Sequence, residues 1–451
     1  IVGEAIKTLG IDKNSVKFAL PTHKAKQVIA QATSGYPTEA FETLASLIGQ
    51  VPKSKFNSVT QKYDGKEFKK DQGLYEEKLE QLAGIKLIVI DEASMVSETL
   101  TEELIVLANS LNIRLLFMGD NVQLPPIEQG GKGTVDVSRV FDTVMEINQK
   151  DKVPMNIEAH YAKLNERMRQ DKGNPILGIT DILANVAEWI HERHKSYKKT
   201  SGNRDINFIL PTINNDNVEY MESTWIDKYK GSIPTDDTLD AFADAYIAAR
   251  DAGNEKNVKY IHYNAAKNKK TKALRARIRE RLFDHIFAGN LEAMPFIVGE
   301  RLVLDAAITI LKGANNKYDK GEVTTTKDLH NGDEVTVLEE LTSITGATYK
   351  DSAGTYRNIP VKILKVRTDE KNKDGTYKVY KLVLPHPGAK AVIEKLIPPS
   401  VKKKQPFTAD RIVADMFTDG ISAAYLINSH KAQGSTYDTV YVDYENIMNS
   451  A

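Results

Sequence analysis

The chain is expected to be α/β, with two units built on doubly wound parallel sheets and interrupted by a small hairpin and by an all-β module. Three observations carry this. Short apolar runs (Val16-Lys-Phe-Ala-Leu20, Leu87-Ile-Val-Ile90, Leu115-Leu-Phe-Met118, Val258-Lys-Tyr-Ile-His262) read as buried strands that end abruptly in polar residues. Helical patterns separate these runs, and strand alternating with helix implies a parallel sheet. From about 291 to 420 the pattern changes to short strands broken by turns such as Asn331-Gly332 and Asp374-Gly375.

In chain order, residues 1–10 close an amphipathic helix that Gly10 stops. The strand Val16–Leu20 breaks at Pro21-Thr22, and Lys24 to Gln31 is helical. Residues 52–73 are polar and Lys-rich. There Asp64-Gly65, between Ser58–Tyr63 and Lys66–Phe68, predicts a two-residue hairpin turn. Helices over about 74–84 and 97–111 lead into the strands at Leu87 and Leu115. A helix over 175–195, a strand at Ile206–Leu210 and helices over 216–230 and 236–252 precede the strand Val258–His262. A basic helix, Lys267 to Phe283, follows; its charges are read either as a nucleic-acid contact or as a solvated face. Strands at Glu300–Leu304, Glu334–Leu338, Val361–Val366 and Lys378–Leu384 make the all-β module, and Ala423 to Asp443 returns to strand–loop–strand.

The 451 residues leave room for two to four domains, and 41% hydrophobic content is ample for their cores. With 61 basic against 61 acidic residues, a wholly basic nucleic-acid coat is excluded, though a local patch is not. The absence of cysteine excludes disulfides, thiolate metal sites and cysteine nucleophiles, and suits a reducing cytosol. No apolar run reaches the length of a membrane span, and no signal peptide is seen.

The chemistry concentrates at strand ends. Asp91-Glu92 follows Leu87–Ile90, and a carboxylate pair at the C-terminal edge of a parallel strand suits a Mg²⁺-nucleotide site: Asp91 holds the metal and Glu92 activates a water. Alone it would equally be a structural acidic pair. The next strand ends in Gly119-Asp120-Asn-Val-Gln123-Leu-Pro-Pro126, where Gln123 can orient that water or sense the γ-phosphate. Pro21-Thr22-His23-Lys24 opens a helix that either holds a nucleic-acid phosphate or is simply capped. Asn264, after Ile261-His262-Tyr263, is a good helix cap in any protein. Ile427-Asn428-Ser429-His430-Lys431-Ala432-Gln433-Gly434 reads on its own only as a polar loop after a strand.

Taken in order, these segments resemble the motifs of superfamily 1 DNA helicases, in the 5′→3′ branch of Dda-type phage and RecD-like enzymes. Asp91-Glu92 resembles Walker B, Gly119 to Pro126 motif III, Pro21 to Lys24 motif Ia, and His430-Lys-Ala-Gln-Gly434 motif V. Thr43 to Ile48 sits where motif Ib belongs, with Ala45 in place of the usual His. The resemblance implies two RecA-like P-loop NTPase domains that sandwich ATP. Domain 1A would cover 1–40 and 80–150, domain 1B 41–79, domain 2A 151–290 and 421–451, and an SH3-like domain 2B 291–420.

It further implies roles for residues. Arg169 in Leu164-Asn-Glu-Arg-Met-Arg169 would be the arginine finger, with Arg167 the alternative one register away. Gln433 and Gly434 would approach the nucleotide. Pro21, Thr22, His23, Lys24, Asn264, Ser429, His430 and Lys431 would face the nucleic acid. Tyr63 and Phe68 would tip a strand-separating pin, unless they only pack their hairpin. ATP and Mg²⁺ would be the cofactors. Partners would be single-stranded DNA and duplex junctions, with single-stranded-DNA-binding or replisome proteins beside them. The motor would be monomeric, off the membrane, in bacterial or phage-infected cytoplasm. No Gly-x-x-x-x-Gly-Lys-[Ser/Thr] loop occurs; in Gly130-Gly131-Lys132-Gly133-Thr134 the Lys precedes a Gly and the segment follows motif III. The expectation is therefore a chain lacking Walker A and motif VI, a poor ATPase as it stands. The alternatives are an RNA helicase of the same superfamily, or a non-catalytic nucleic-acid-binding module.

Overall fold

The structure is a computed structural model that describes residues 2–33, 35–58, 62–120, 123, 140–141, 144, 160, 162, 223–227, 231–262, 269–283, 296–304, 308–313, 321–326, 328–351, 354–404, 407–418, 420–432, 435 and 437–443. They fall into two compact units, residues 1–21, 35–41 and 82–223, and residues 22–34, 42–81 and 224–451.

The first unit opens with helix α1 (Val2–Leu9), which ends at Gly10 with φ 61°, a conformation that costs glycine least. Strand β1 (Val16–Leu20) leads to the chain that forms helix α2 (His23–Ala32) of the second unit. Strands β2 (Phe41–Thr43), β5 (Leu87–Ile90) and β6 (Arg114–Phe117) complete a sheet of order β2-β1-β5-β6, in which β1, β5 and β6 run parallel. All four side chains of β5 are buried, as a strand covered on both faces requires. Helix α5 (Glu98–Ser110), capped by Ser97 Oγ accepting from Leu100 N at 3.3 Å, connects β5 to β6.

In the second unit, helix α3 (Leu44–Leu47) precedes a hairpin of β3 (Gln50–Asn57) and β4 (Lys62–Lys70), which continues into helix α4 (Gln72–Gln81). A short two-stranded ribbon follows, β7 (Ser223–Asp227) with β8 (Gly231–Pro234). The expected helix over 216–230 is thus overturned at 223–227: Ser-Thr-Trp-Ile-Asp is β-branched and aromatic at its centre, and that composition prefers a strand. Helix α6 (Asp236–Asp251) lies beside β9 (Val258–His262) and helix α7 (Lys269–Leu282). Strands β17 (Leu426–Asn428) and β18 (Thr439–Val442) flank β9, both parallel to it. Phe242, Tyr246, Tyr260, Ile278 and Tyr425 are the core of this layer.

The all-β module carries β10 (Arg301–Leu304), β11 (Thr309–Lys312), β12 (Glu322–Thr325), β13 (Glu334–Asp351), β14 (Gly354–Lys371), β15 (Tyr377–Leu384) and β16 (Ile421–Ala423) in the order β12-β11-β15-β14-β13-β10-β16. An added β12–β13 pairing closes five of these strands into a ring. Helices α8 (Ala389–Leu396), α9 (Pro399–Lys404) and α10 (Thr408–Met416) follow, and Ile393, Ile412 and Met416 pack into the ring's core. Helix α11 (Ser429–Ala432) follows β17.

The expected α/β class is what the two parallel sheets show. The Asp64-Gly65 turn is a correction. Both residues lie inside β4, opposite a register shift between Ser54 and Phe56, so Gly65 serves a bulge and the reversal falls between Asn57 and Lys62. The hairpin is held by side-chain packing rather than by that turn: Ser54 Oγ hydrogen-bonds the Asp415 carboxylate, and the Phe56 ring lies 5.0 Å from that of Phe407.

Candidate functional site

Asp91 and Glu92 leave the end of β5 half-buried. Glu92 adopts φ 51° and ψ 41°, left-handed geometry that a residue with a Cβ rarely takes, and so turns the chain sharply off the sheet. The turn is pinned by Ala93 N donating to Met118 O at 2.9 Å, while Met118 N donates to Ile90 O at 2.7 Å. Gly119 closes it. A Cβ there would lie 2.8 Å from Ala93 N and 3.1 Å from Ser94 N, so only glycine lets the two strand ends approach. Ser94 is wholly buried, with no hydrogen-bond partner for its Oγ. Gln123 is exposed, and its N–H donates to Asp120 O at 3.1 Å. Two carboxylates on a pinned turn at the carboxyl edge of a parallel sheet are hard oxygen donors of the kind Mg²⁺ prefers, so these residues fit a metal–nucleotide group.

Thr22 caps α2, its Oγ accepting from Ala25 N at 3.1 Å, and it remains exposed. Pro21 is half-buried. The His23 ring lies 3.9 Å from that of His330, and neither Nδ1 has a hydrogen-bond partner. Burial first, then His330 and Lys26, hold His23 down at about 4, with Asp333 opposing. Among the described side chains His330 was not foreseen: it sits in a Leu-His-Asn-Gly turn that gives no local sign of a partner three hundred residues upstream.

On the parallel sheet of the second unit, Asn428 pairs with His262, so two of the sequence-predicted segments meet at one sheet edge. Asn428 Oδ1 accepts from Lys431 N at 2.9 Å, and the buried Ser429 Oγ has no hydrogen-bond partner. His262 is buried and held at about 4, by burial and then by Lys431. Beneath this edge Lys259, 1% exposed, donates to Glu334 at 2.7 Å and to Ala424 O at 2.8 Å. Arg301 joins the same Glu334 to Asp369.

Three arginines of the basic helix α7 are taken up by carboxylates from elsewhere in the unit. Arg277 and Arg281 bind Asp236, Arg281 also binds Asp240, and Arg279 binds the buried Glu300 at 2.8 Å. Tyr63 lies 5.2 Å from Phe56, while Phe68 is 45% exposed opposite Pro52. Arg169, Arg167, Asn264, Gln433 and Gly434 lie outside the described residues, as do the side chains of Lys24 and His430.

Residues 2–174 match the AAA_30 family model, described as an AAA domain. The chain is 22% identical over 455 residues to "Uncharacterized protein R530" of Acanthamoeba polyphaga mimivirus, covering 97% of this chain and 84% of that protein. Solved structures it resembles include a Pif1 helicase from Bacteroides in complex with ADP-AlF3 and ssDNA (14% identity, 97% of this chain and 85% of that one, TM-score 0.37). Another is the Pif1 helicase from Candida albicans (14% identity, 98% and 87%, TM-score 0.32).

Proposed function

We propose that this chain is the motor of an ATP-dependent DNA helicase that moves 5′→3′ on single strands. The observation that carries the reading is the Asp91-Glu92 turn, pinned by Ala93 and closed by Gly119 at the carboxyl edge of a parallel sheet. The match of residues 2–174 to an AAA domain supports the nucleotide half of it. Asp91 would hold Mg²⁺, which when bound neutralises phosphate charge. Glu92 accepts the proton of the attacking water, and Gln123 orients that water. By the motif resemblance Arg169 would supply the finger, and Gln433 and Gly434 would approach the nucleotide.

The nucleic-acid half rests on the capped start of α2 at Thr22 and on the meeting of His262 with Asn428 to Lys431. Helix starts of the first kind accept phosphates. Polarity, pin action by Tyr63 and Phe68, work at duplex junctions in replication, recombination or repair, partner proteins, a monomeric state and a cytoplasmic place are supported by the motif resemblance. Once a Gly-Lys-Thr phosphate loop is supplied, the chain is expected to hydrolyse ATP in response to DNA, and Glu92→Gln to abolish that hydrolysis while ATP still binds; retained turnover refutes the base assignment. Unwinding of 3′-tailed duplexes alone would refute the polarity, and a preference for tailed RNA the substrate.

A further inference from the structure

We propose that the outer face of β14 and β15 is an additional contact for single-stranded nucleic acid, with a base stacked on Tyr377 and phosphates along Arg367, Lys371, Lys381 and Lys365. The inference rests on the nucleic-acid reading above and deepens it.

Register defines the face. Lys371 pairs with Tyr377, Arg367 with Val379 and Lys365 with Lys381, and paired residues point to the same side. The intervening pairs, Val366 with Tyr380 and Leu364 with Leu382, point to the other side, where Leu364, Val366 and Leu382 are wholly buried. On the near side the buried core is reached only at the next pair, Ile363 with Val383, so from Lys365 and Lys381 to Lys371 and Tyr377 that side carries no buried residue. Yet Tyr377 stands 42% exposed and Val379 46% exposed among cations. An exposed aromatic on a two-stranded ribbon contributes little to folding there.

The ring is already held in place. The Arg367 guanidinium lies 4.3 Å from its centroid and the Lys371 ammonium 5.3 Å. Such cation–π contacts fix the ring's orientation and leave its remaining surface for another flat group. The charges also point outward. Lys365 is paired with Glu339 and Arg367 with Asp369 at 3.8 Å, but Asp369 divides its charge with Arg301, which it meets by a two-point contact at 2.9 and 3.0 Å. Among the described residues, Lys371 and Lys381 form no ion pair. Four cations against two exposed carboxylates, Glu339 and Asp369, the second shared with Arg301, leave a net positive face that complements a polyanion. The aromatic between them selects an unstacked one, because a base must leave its helix to lie on a side chain. A protein partner would meet the same cations with less density of charge, and duplex would offer Tyr377 no free base.

The test is fluorescence anisotropy on the full chain with two oligothymidylates, one of about ten nucleotides, within a single ~4–16-nucleotide site, and one about three times longer. Tyr377→Ala and the pair Lys371→Glu with Lys381→Glu are expected to weaken the longer oligomer about tenfold and the shorter one little. Tyr377→Phe, which keeps the ring, restores wild-type binding, and unchanged thermal unfolding excludes misfolding as the cause. The charge pair should also flatten the salt dependence. Wild-type affinity for the longer oligomer in both the Ala and the Glu variants overturns the proposal and leaves the helicase reading intact. A wild-type chain that binds neither oligomer overturns both.

Discussion

Gly119→Ala is the most direct probe of the candidate nucleotide site, because it adds a single methyl and touches no functional group. The added Cβ would stand 2.8 Å from Ala93 N, 3.1 Å from Ser94 N and 3.4 Å from the Ala93 Cα, all backbone. These neighbours cannot rotate away. Ala93 is tied to Met118, and Ala93 and Ser94 are both wholly buried. Relief must come from moving the Asp91-Glu92 turn or the end of β6. Overpacking of this kind costs about 1–3 kcal/mol, or roughly 2–4 °C in melting temperature per kcal/mol for a unit of this size. Displacing the turn by about 1 Å would cost about a hundredfold in turnover. The control is Gly3→Ala in α1, where nothing lies within 4 Å of the new Cβ and a helical Ala is favoured by about 0.5–1 kcal/mol. Differential scanning fluorimetry measures both variants, and DNA-stimulated phosphate release measures them once a Gly-Lys-Thr phosphate loop is supplied. If Gly119→Ala melts and turns over like wild type while Gly3→Ala is unremarkable, the two strand ends are not coupled through this contact.

Glu334→Leu removes the carboxylate that buried Lys259 and Arg301 share and should destabilise the second unit by about 3–5 kcal/mol, whereas Lys259→Met, after which Glu334 keeps Arg301, should cost about 1–3 kcal/mol; equal urea midpoints would contradict the asymmetry. His23 and His262 sit at about 4 in the fold against an ordinary 6.5, so between these values the unfolded chain binds more protons; stability is full above about 6.5, declines as pH falls toward 4, and a flat profile in unfolding experiments would refute their burial as neutral rings. Phe68→Ala should reduce unwinding of 5′-tailed duplex while sparing single-strand-stimulated hydrolysis, and equal loss of both in the paired assays would remove the residue from the pin. Phe56→Ala, which severs the hairpin from Phe407, should loosen the hairpin and raise its amide exchange; unchanged protection would argue against side-chain anchoring.

The strand ends were legible in the sequence because their signals are local. An apolar run of four or five residues that ends in polar residues marks a strand with its edge exposed to chemistry, and β1, β5, β6 and β9 lie where such runs occur; β6 departs from the expected burial, since none of its four residues is fully buried. Helix starts read as well, since Thr22 and Ser97 carry their own cap acceptors. Asp64-Gly65 misled for the complementary reason. Its turn propensity is a small local preference, and docking of β3 onto Phe407 and Asp415, far along the chain, sets a different register. The basic run of α7 likewise suggested a nucleic-acid face. Asp236, Asp240 and Glu300 take up Arg277, Arg279 and Arg281, and no window of sequence around that helix contains those partners' positions in space.

By itself, the amino-acid sequence determined which residues can do chemistry and which runs must be buried, because side-chain type and short-range period are written in it. Only the tertiary structure decided that Gly119 is the spacer between two strand ends, that His23 meets His330, that His262 lies beside the Asn428–Lys431 turn, and that Tyr377 stands outward among cations. Each of these joins residues brought together by strand register or by packing of distant segments. Such contacts depend on which buried surfaces fit one another, a property of the whole fold that no local pattern encodes.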